Sequence, residues 1–363
     1  MSNRPPHPYS GPFDHLAMRY LRRALDTTHP TDEPFVLHES ESVLIRRTVV
    51  VVGGLIMLAG LLTIVLFYGP QFFWPSLFIP TVLPALGVSL PLLVGVYALL
   101  LLYIQLHVVL SLTLLAAKAI MHICHFPYAY DAQYSHHLQQ MKKASTRKLS
   151  YAWLRLDPAP FLTLPRWGLY LFVGLNLLGA FGLVAGLVWG LQPYLATSLL
   201  WVSGALVYAA WSAYVGWQIM HETKIRVMAP LTVRSFVNEL REEWRDDESF
   251  RSLIPNALHY AGLADQQHHY AHLLLAETFT DRFCLSEIPP SSVPFIDQMA
   301  QLPPHMQQSF ERILIFAMLI DGHFTRTEKK RFRALSHRAL THYTIDDLRQ
   351  LSRDYTAGRG LWV

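Results

Sequence analysis

The chain has 363 residues, 52% hydrophobic and only 15% charged, with a formal net charge of +4. Soluble domains carry about 25% charged residues, so the composition argues against an ordinary globular protein. It also argues against a nucleic-acid binder: no Lys/Arg stripe is interleaved with aromatics, and the basic residues cluster beside apolar runs.

The first 45 residues are polar and rich in proline, and no short apolar region with a small-residue cleavage site precedes Thr48. The first apolar run is therefore expected to act as an uncleaved targeting signal. Within this tail, 1–47, the stretch FDHLAMRYLRRALD (13–26) reads as a short amphipathic helix suited to docking on a partner.

No Asp, Glu, Lys or Arg occurs from Thr48 to Ala117, nor from Trp167 to His221. About 20 apolar helical residues cross a bilayer, so each stretch accommodates two crossings. The predicted spans are 48–69, 86–117, 167–191 and 196–220. The second is long enough to tilt. The linker PQFFWPSLFIPTVLP follows the first span, and its Phe72, Phe73 and Trp74 suit an interfacial belt. The connection QPYLATS is so short that the last two spans form a hairpin. The expected class is all-α: a four-helix transmembrane bundle of two hairpins over 48–221, plus a C-terminal helical domain over 222–363.

Orientation follows from basic residues beside the spans. Arg46 and Arg47 precede the first, Lys224 and Arg226 follow the fourth, and the central loop 118–166 holds Lys118, Lys142, Lys143, Arg147, Lys148, Arg155 and Arg166. Both termini and this loop are thus expected on the cytoplasmic side of an inner membrane, in a multi-pass arrangement. The loop's SHHLQQMKKASTRKLSYAWLRL is basic and amphipathic enough to lie along anionic headgroups. Cys124 and Cys284 are too few for a disulfide framework and fall on the reducing side.

Several polar groups are candidates within the spans. Gln105 and His107 lie in the second, Asn176 in the third and Gln218 in the fourth, where they suit either helix packing or a polar path. Gly174, Gly179, Gly182 and Gly186 permit close helix approach. The tripeptide Ile-Met-His occurs at both Ile120–His122 and Ile219–His221, as two related hairpins would place it. Neutral imidazoles at His122, His125 and His221 have the chemistry to ligate haem iron or a transition metal. His268 and His272, four residues apart, offer a second metal-ligand spacing, without the Glu of a zinc hydrolase motif.

From Glu222 onward charge returns. Helices are predicted over 232–244, 248–261, 266–283, 293–301, 306–320, 326–340 and 345–354. The run RILIFAMLI, Arg312 to Ile320, is nearly all apolar and reads as a core helix. Asp321-Gly322 stops it, because glycine accepts the left-handed backbone at a helix end. Thr325 and Glu328 then have the spacing of a capping box, with Phe324 placed as a staple.

The order apolar helix, Asp-Gly-x-Phe, Thr-x-x-Glu, helix resembles the central helix pair of TerB-like domains, also found in the membrane-anchored DnaJ-like family. The resemblance covers about 306–340. It implies a helical domain and places Asp321, Gly322, Thr325 and Glu328 at the family's turn. Asp321 and Glu328 fall at its acidic positions, where a divalent metal has been proposed to bind. This chain departs from the family in His323 and in the basic Arg326, Lys329, Lys330, Arg331 and Arg333, where such domains tend to be acidic.

No nucleophile–base pair, phosphate loop or carboxylate dyad is assignable. The chain therefore reads as a non-enzymatic membrane scaffold, sensor or accessory subunit without a required cofactor. Its helical domain would recruit a protein partner or a second copy. The alternatives are a homo-oligomeric channel or transporter, and a membrane redox protein holding haem or a divalent metal.

Overall fold

The computed structural model describes residues 36–74, 81–83, 88–90, 92–124, 174, 178–179, 182, 197–261, 269–285 and 294–363. Helix α1, Glu39–Phe73, starts earlier than the apolar run that predicted it. Glu39 and Glu41 occupy its first turn, where carboxylates complement the helix dipole. Glu41 also accepts the His38 N–H at 2.9 Å.

The sequence predicted an aromatic linker and the start of the second span after α1. The structure instead places a short antiparallel ribbon there, β1 (Thr81–Leu83) and β2 (Val88–Leu90), with Val82 opposite Ser89. In the sequence Pro80 and Pro84 flank the first strand and Pro91 follows the second, as suits a residue excluded from strand interiors. Helix α2, Leu92–Ile123, follows. The third predicted span is described only at Gly174, Leu178, Gly179 and Gly182, all helical.

Helix α3 runs without interruption over Thr197–Glu243. It joins the fourth predicted span to the first predicted helix of the C-terminal domain, where a break was expected. Pro230 lies inside it and cannot donate to the Arg226 carbonyl. Burial outweighs that loss: Ile225, Val227, Met228 and Ala229 are all at most 1% exposed. The remaining helices are α4 (Glu248–Tyr260), α5 (Tyr270–Phe283), α6 (Phe295–Met299), α7 (Pro304–Leu319), α8 (Arg326–His337) and α9 (Ile345–Ala357). Apart from the ribbon, the described elements are all helical.

The chain divides into two units; among the described residues the first holds those of Ile45–Ala119 and those up to His221 that follow, and the second holds those up to Leu44, those from Ile120 to Cys124 and those of Glu222–Val363. In the first, α1 and α2 are long and apolar enough to cross a membrane. Their most apolar windows are only 22% and 33% buried, which is unlike a soluble core helix. Val50, Leu58, Leu62 and Val65 of α1 and Leu99, Leu100 and Ile104 of α2 face outward. Helices approach closely here. A Cβ on Gly60 would stand 3.0 Å from the Ala209 Cα, and one on Gly216 would stand 2.4 Å from Ile56.

The second unit is built on α7, which packs against α4 and α9. Phe236 stacks on Phe316 at 3.9 Å, and Phe250 lies 4.7 Å from both Trp244 and Phe310. The Trp244 indole N–H donates to the Ser309 hydroxyl at 2.9 Å. Residues before α1 join this unit: the Leu37 N–H donates to the Gly358 carbonyl at 2.7 Å, and Leu37 lies against the left-handed Gly358 (φ 95°). Phe316→Ala removes a fully buried ring from this core. It is expected to lower stability by about 3–5 kcal/mol, read as a shifted urea midpoint of the detergent-purified chain.

Candidate metal centre

Helix α7 ends inside the protein. Every residue from Ile313 to Asp321 is buried, so the helix's last carbonyls have no water to turn to. The Gly322 N–H reaches the Leu319 carbonyl at 2.9 Å. Gly322 has φ 71°, and a Cβ there would stand 2.5 Å from Ile225. The backbone and the packing both require glycine at this turn. Asp321 then accepts the His323 N–H at 2.9 Å.

Three residues on the chain restart α8. Thr325 accepts the Glu328 N–H at 3.3 Å, and a Glu328 carboxylate oxygen accepts the Thr325 N–H at 2.5 Å, a reciprocal capping box. The cap fixes the Glu328 carboxylate beside the turn. From a distant helix, α5, His272 arrives with its Nε2 3.0 Å from the Ala317 carbonyl. A carbonyl only accepts, so Nε2 carries a hydrogen, and in the neutral ring Nδ1 then carries the lone pair.

One ligand atom each from His272, Asp321 and Glu328 lies within 4.8 Å of the others. Asp321 is 7% and Glu328 9% exposed. Burial, followed by the Asp321 charge, pushes the Glu328 carboxyl up to about 7, against the lowering effects of Thr325 and Arg331. The Tyr355 hydroxyl is fully buried without a hydrogen-bond partner. Burial and then the charges of Asp321 and Glu222 raise its pKa. Two carboxylates and an imidazole with a buried phenol in electrostatic range fit a divalent cation. The nitrogen ligand favours a transition metal over calcium or magnesium, which prefer all-oxygen sites.

Beside this cluster is a second one that is already compensated. Glu222 lies 2.5 Å from His269 Nε2, 3.1 Å from Arg226 Nε and 3.9 Å from His323 Nε2. Burial alone would raise the Glu222 carboxyl. His269, His323 and Arg226 together hold it well below the usual carboxylate range. Sequence reasoning missed Glu222, His269, His323 and Tyr355. Glu222 carries one legible signal, as the first charge after a long uncharged run.

The other candidates separate. Gln105 is buried, donating to Ser212 at 3.2 Å and accepting from the Tyr208 hydroxyl at 2.6 Å, which makes it an interhelical tie between α2 and α3. His107 Nδ1 lies 3.2 Å from the Tyr103 carbonyl one turn back, on a half-exposed face. Gln218 donates to the Tyr214 hydroxyl on its own helix. His221 stacks on Trp217 at 5.1 Å, and His122 lies in the last turn of α2. Asn176, His125 and His268 lie outside the described residues.

No family model matches this chain, and no curated protein or solved structure matches it either.

Glu328→Gln keeps the capping oxygen and removes the charge. Above pH 7 the wild-type carboxyl is ionised in both folded and unfolded states, at the full cost of burial. Below the ordinary Glu range it is protonated in both, at none. With chelator present, the variant is therefore expected to be more stable than wild type at pH 8 by on the order of 2–3 kcal/mol. The gain should fade by pH 4, measured as the difference in melting temperature across that range.

Proposed function

We propose that this protein is a membrane-anchored sensor whose helical unit binds a divalent transition metal and presents a docking surface to a partner. The observation that carries the reading is the convergence of His272, Asp321 and Glu328 at a buried turn where the nearby Arg331 only partly offsets the two carboxylates. Such a site couples occupancy to the structure around it: Asp321 ends α7, Glu328 begins α8, and His272 ties in α5. A cation held by all three would lock two helix ends to a third helix, so the unit's stability would follow metal supply.

Membrane residence is supported by the outward apolar faces of α1 and α2. The uncharged runs extend the reading to a multi-pass protein of the inner membrane, with four crossings in two hairpins. The basic residues beside those runs support a cytoplasmic location for both termini and the helical unit. In this reading the first unit anchors and associates, through glycine-mediated helix contacts, and the second unit senses. No catalytic step is assigned to it.

The test is metal-dependent stabilisation of the full chain in detergent. Zinc or manganese at a hundredfold excess over the dissociation constant should stabilise the helical unit by about 2.7 kcal/mol. Calcium should not match this, and His272→Gln or Asp321→Asn should abolish the shift while leaving the fold intact. An unchanged response in His272→Gln would defeat the assignment.

A further inference from the structure

We propose that the outward face of α8 is a docking surface for anionic phospholipid headgroups. Arg326, Lys330, Arg333 and His337 follow one another at spacings of four, three and four residues, which puts them along one side of a helix. All four are exposed. The helix has a single carboxylate, Glu328, and that one is buried in its cap. The outer face of α8 is therefore cationic along its whole length.

The neighbouring basic residues show what a locally engaged cation looks like here. Arg331 donates to the Ala261 carbonyl at 2.7 Å, Lys329 lies over the Phe324 ring at 5.5 Å, and Arg338 pairs with Asp297. Arg326, Lys330 and Arg333 have no ion pair with any described carboxylate. Three aligned cations without a counter-charge among the described residues suit an external anion, and several phosphates spaced along a surface match the stripe better than one small ion does.

The choice of a lipid surface over a soluble polyanion comes from the chain itself. The same polypeptide carries α1 and α2 with their lipid-like outer faces, and Arg46 and Arg47 are exposed near the start of α1. A unit covalently tethered to a bilayer meets its headgroups at a high effective concentration, and a weak surface suffices. Three basic residues at an anionic surface shift the docked-to-undocked ratio by roughly 100-fold. This inference rests on the membrane residence proposed above and is independent of metal binding.

The test uses the full chain with Cys284→Ser and Ser336→Cys, an exposed position on α8, labelled with a fluorophore. Cys124 is buried and stays. The protein is reconstituted into phosphatidylcholine liposomes, with or without phosphatidylglycerol, each carrying a headgroup quencher. Quenching is expected only with phosphatidylglycerol, and it should fall in high salt as screening shortens the reach of the charges. It should also be lost in Lys330→Glu/Arg333→Glu and reduced in Lys330→Gln/Arg333→Gln, with unchanged melting of the labelled protein. Equal quenching in both lipids, or in the charge-reversed variant, overturns the proposal, as does none in either. Flotation separates the two readings. Failure to float with any liposome defeats membrane residence, whereas flotation without quenching defeats only the docking surface.

Discussion

From Ile313 to its end at Leu319, helix α7 has no solvent face, and the second unit is organised by that fact. A helix apolar all round needs neighbours on every side. α4 and α9 supply two of them, and the rings of Phe236 and Phe250 reach Phe316 and Phe310. Burying the end of α7 then imposes a polar problem, because its last carbonyls still require donors. His272 answers for Ala317, and the Gly322 N–H answers for Leu319. The polar centre gathers at this helix end: His272 satisfies a carbonyl of α7, Asp321 follows its last turn, and Glu328 caps the helix that restarts beyond it.

Two buried clusters with opposite electrostatic balance sit in this unit. Glu222 has a guanidinium and two imidazoles around it, and its carboxyl is held low. Asp321 and Glu328 are two carboxylates around one imidazole, and Glu328 is pushed up. Burial disfavours charge in both places. The difference lies in the supply of positive charge: Glu222 has Arg226 and two imidazoles against it, whereas Arg331 only partly offsets burial and Asp321 at Glu328. His272 links this cluster to the backbone of α7, so its ring orientation is set by the protein before any ligand is bound.

What was legible in the sequence was local. The turn at Asp321-Gly322 and the Thr325–Glu328 cap are fixed by spacing within a few residues, and spacing is what a sequence displays. Most helix limits of the second unit follow from the same kind of punctuation. The continuity of α3 through Pro230 was not legible, because tertiary burial overrides the local signal for a break. The ribbon at 81–90 has strands too short to show alternation. His272 lies far in sequence from Asp321, and its obvious helical partner was His268, four residues away. Nothing periodic connects α5 to the end of α7, so the three-residue convergence needed the fold.

The bond between Leu37 and Gly358 has a consequence for how the protein is made. These residues are separated by nearly the whole chain, yet Leu37 fills the space beside Gly358 that a side chain there would occupy. A ribosome delivers Leu37 long before Gly358, and the apolar runs between them must be handled first. The second unit therefore cannot close around its N-terminal strap during most of translation. Its completion is a late event with a long entropic reach, because the contact of Leu37 forms only once the last helix has arrived.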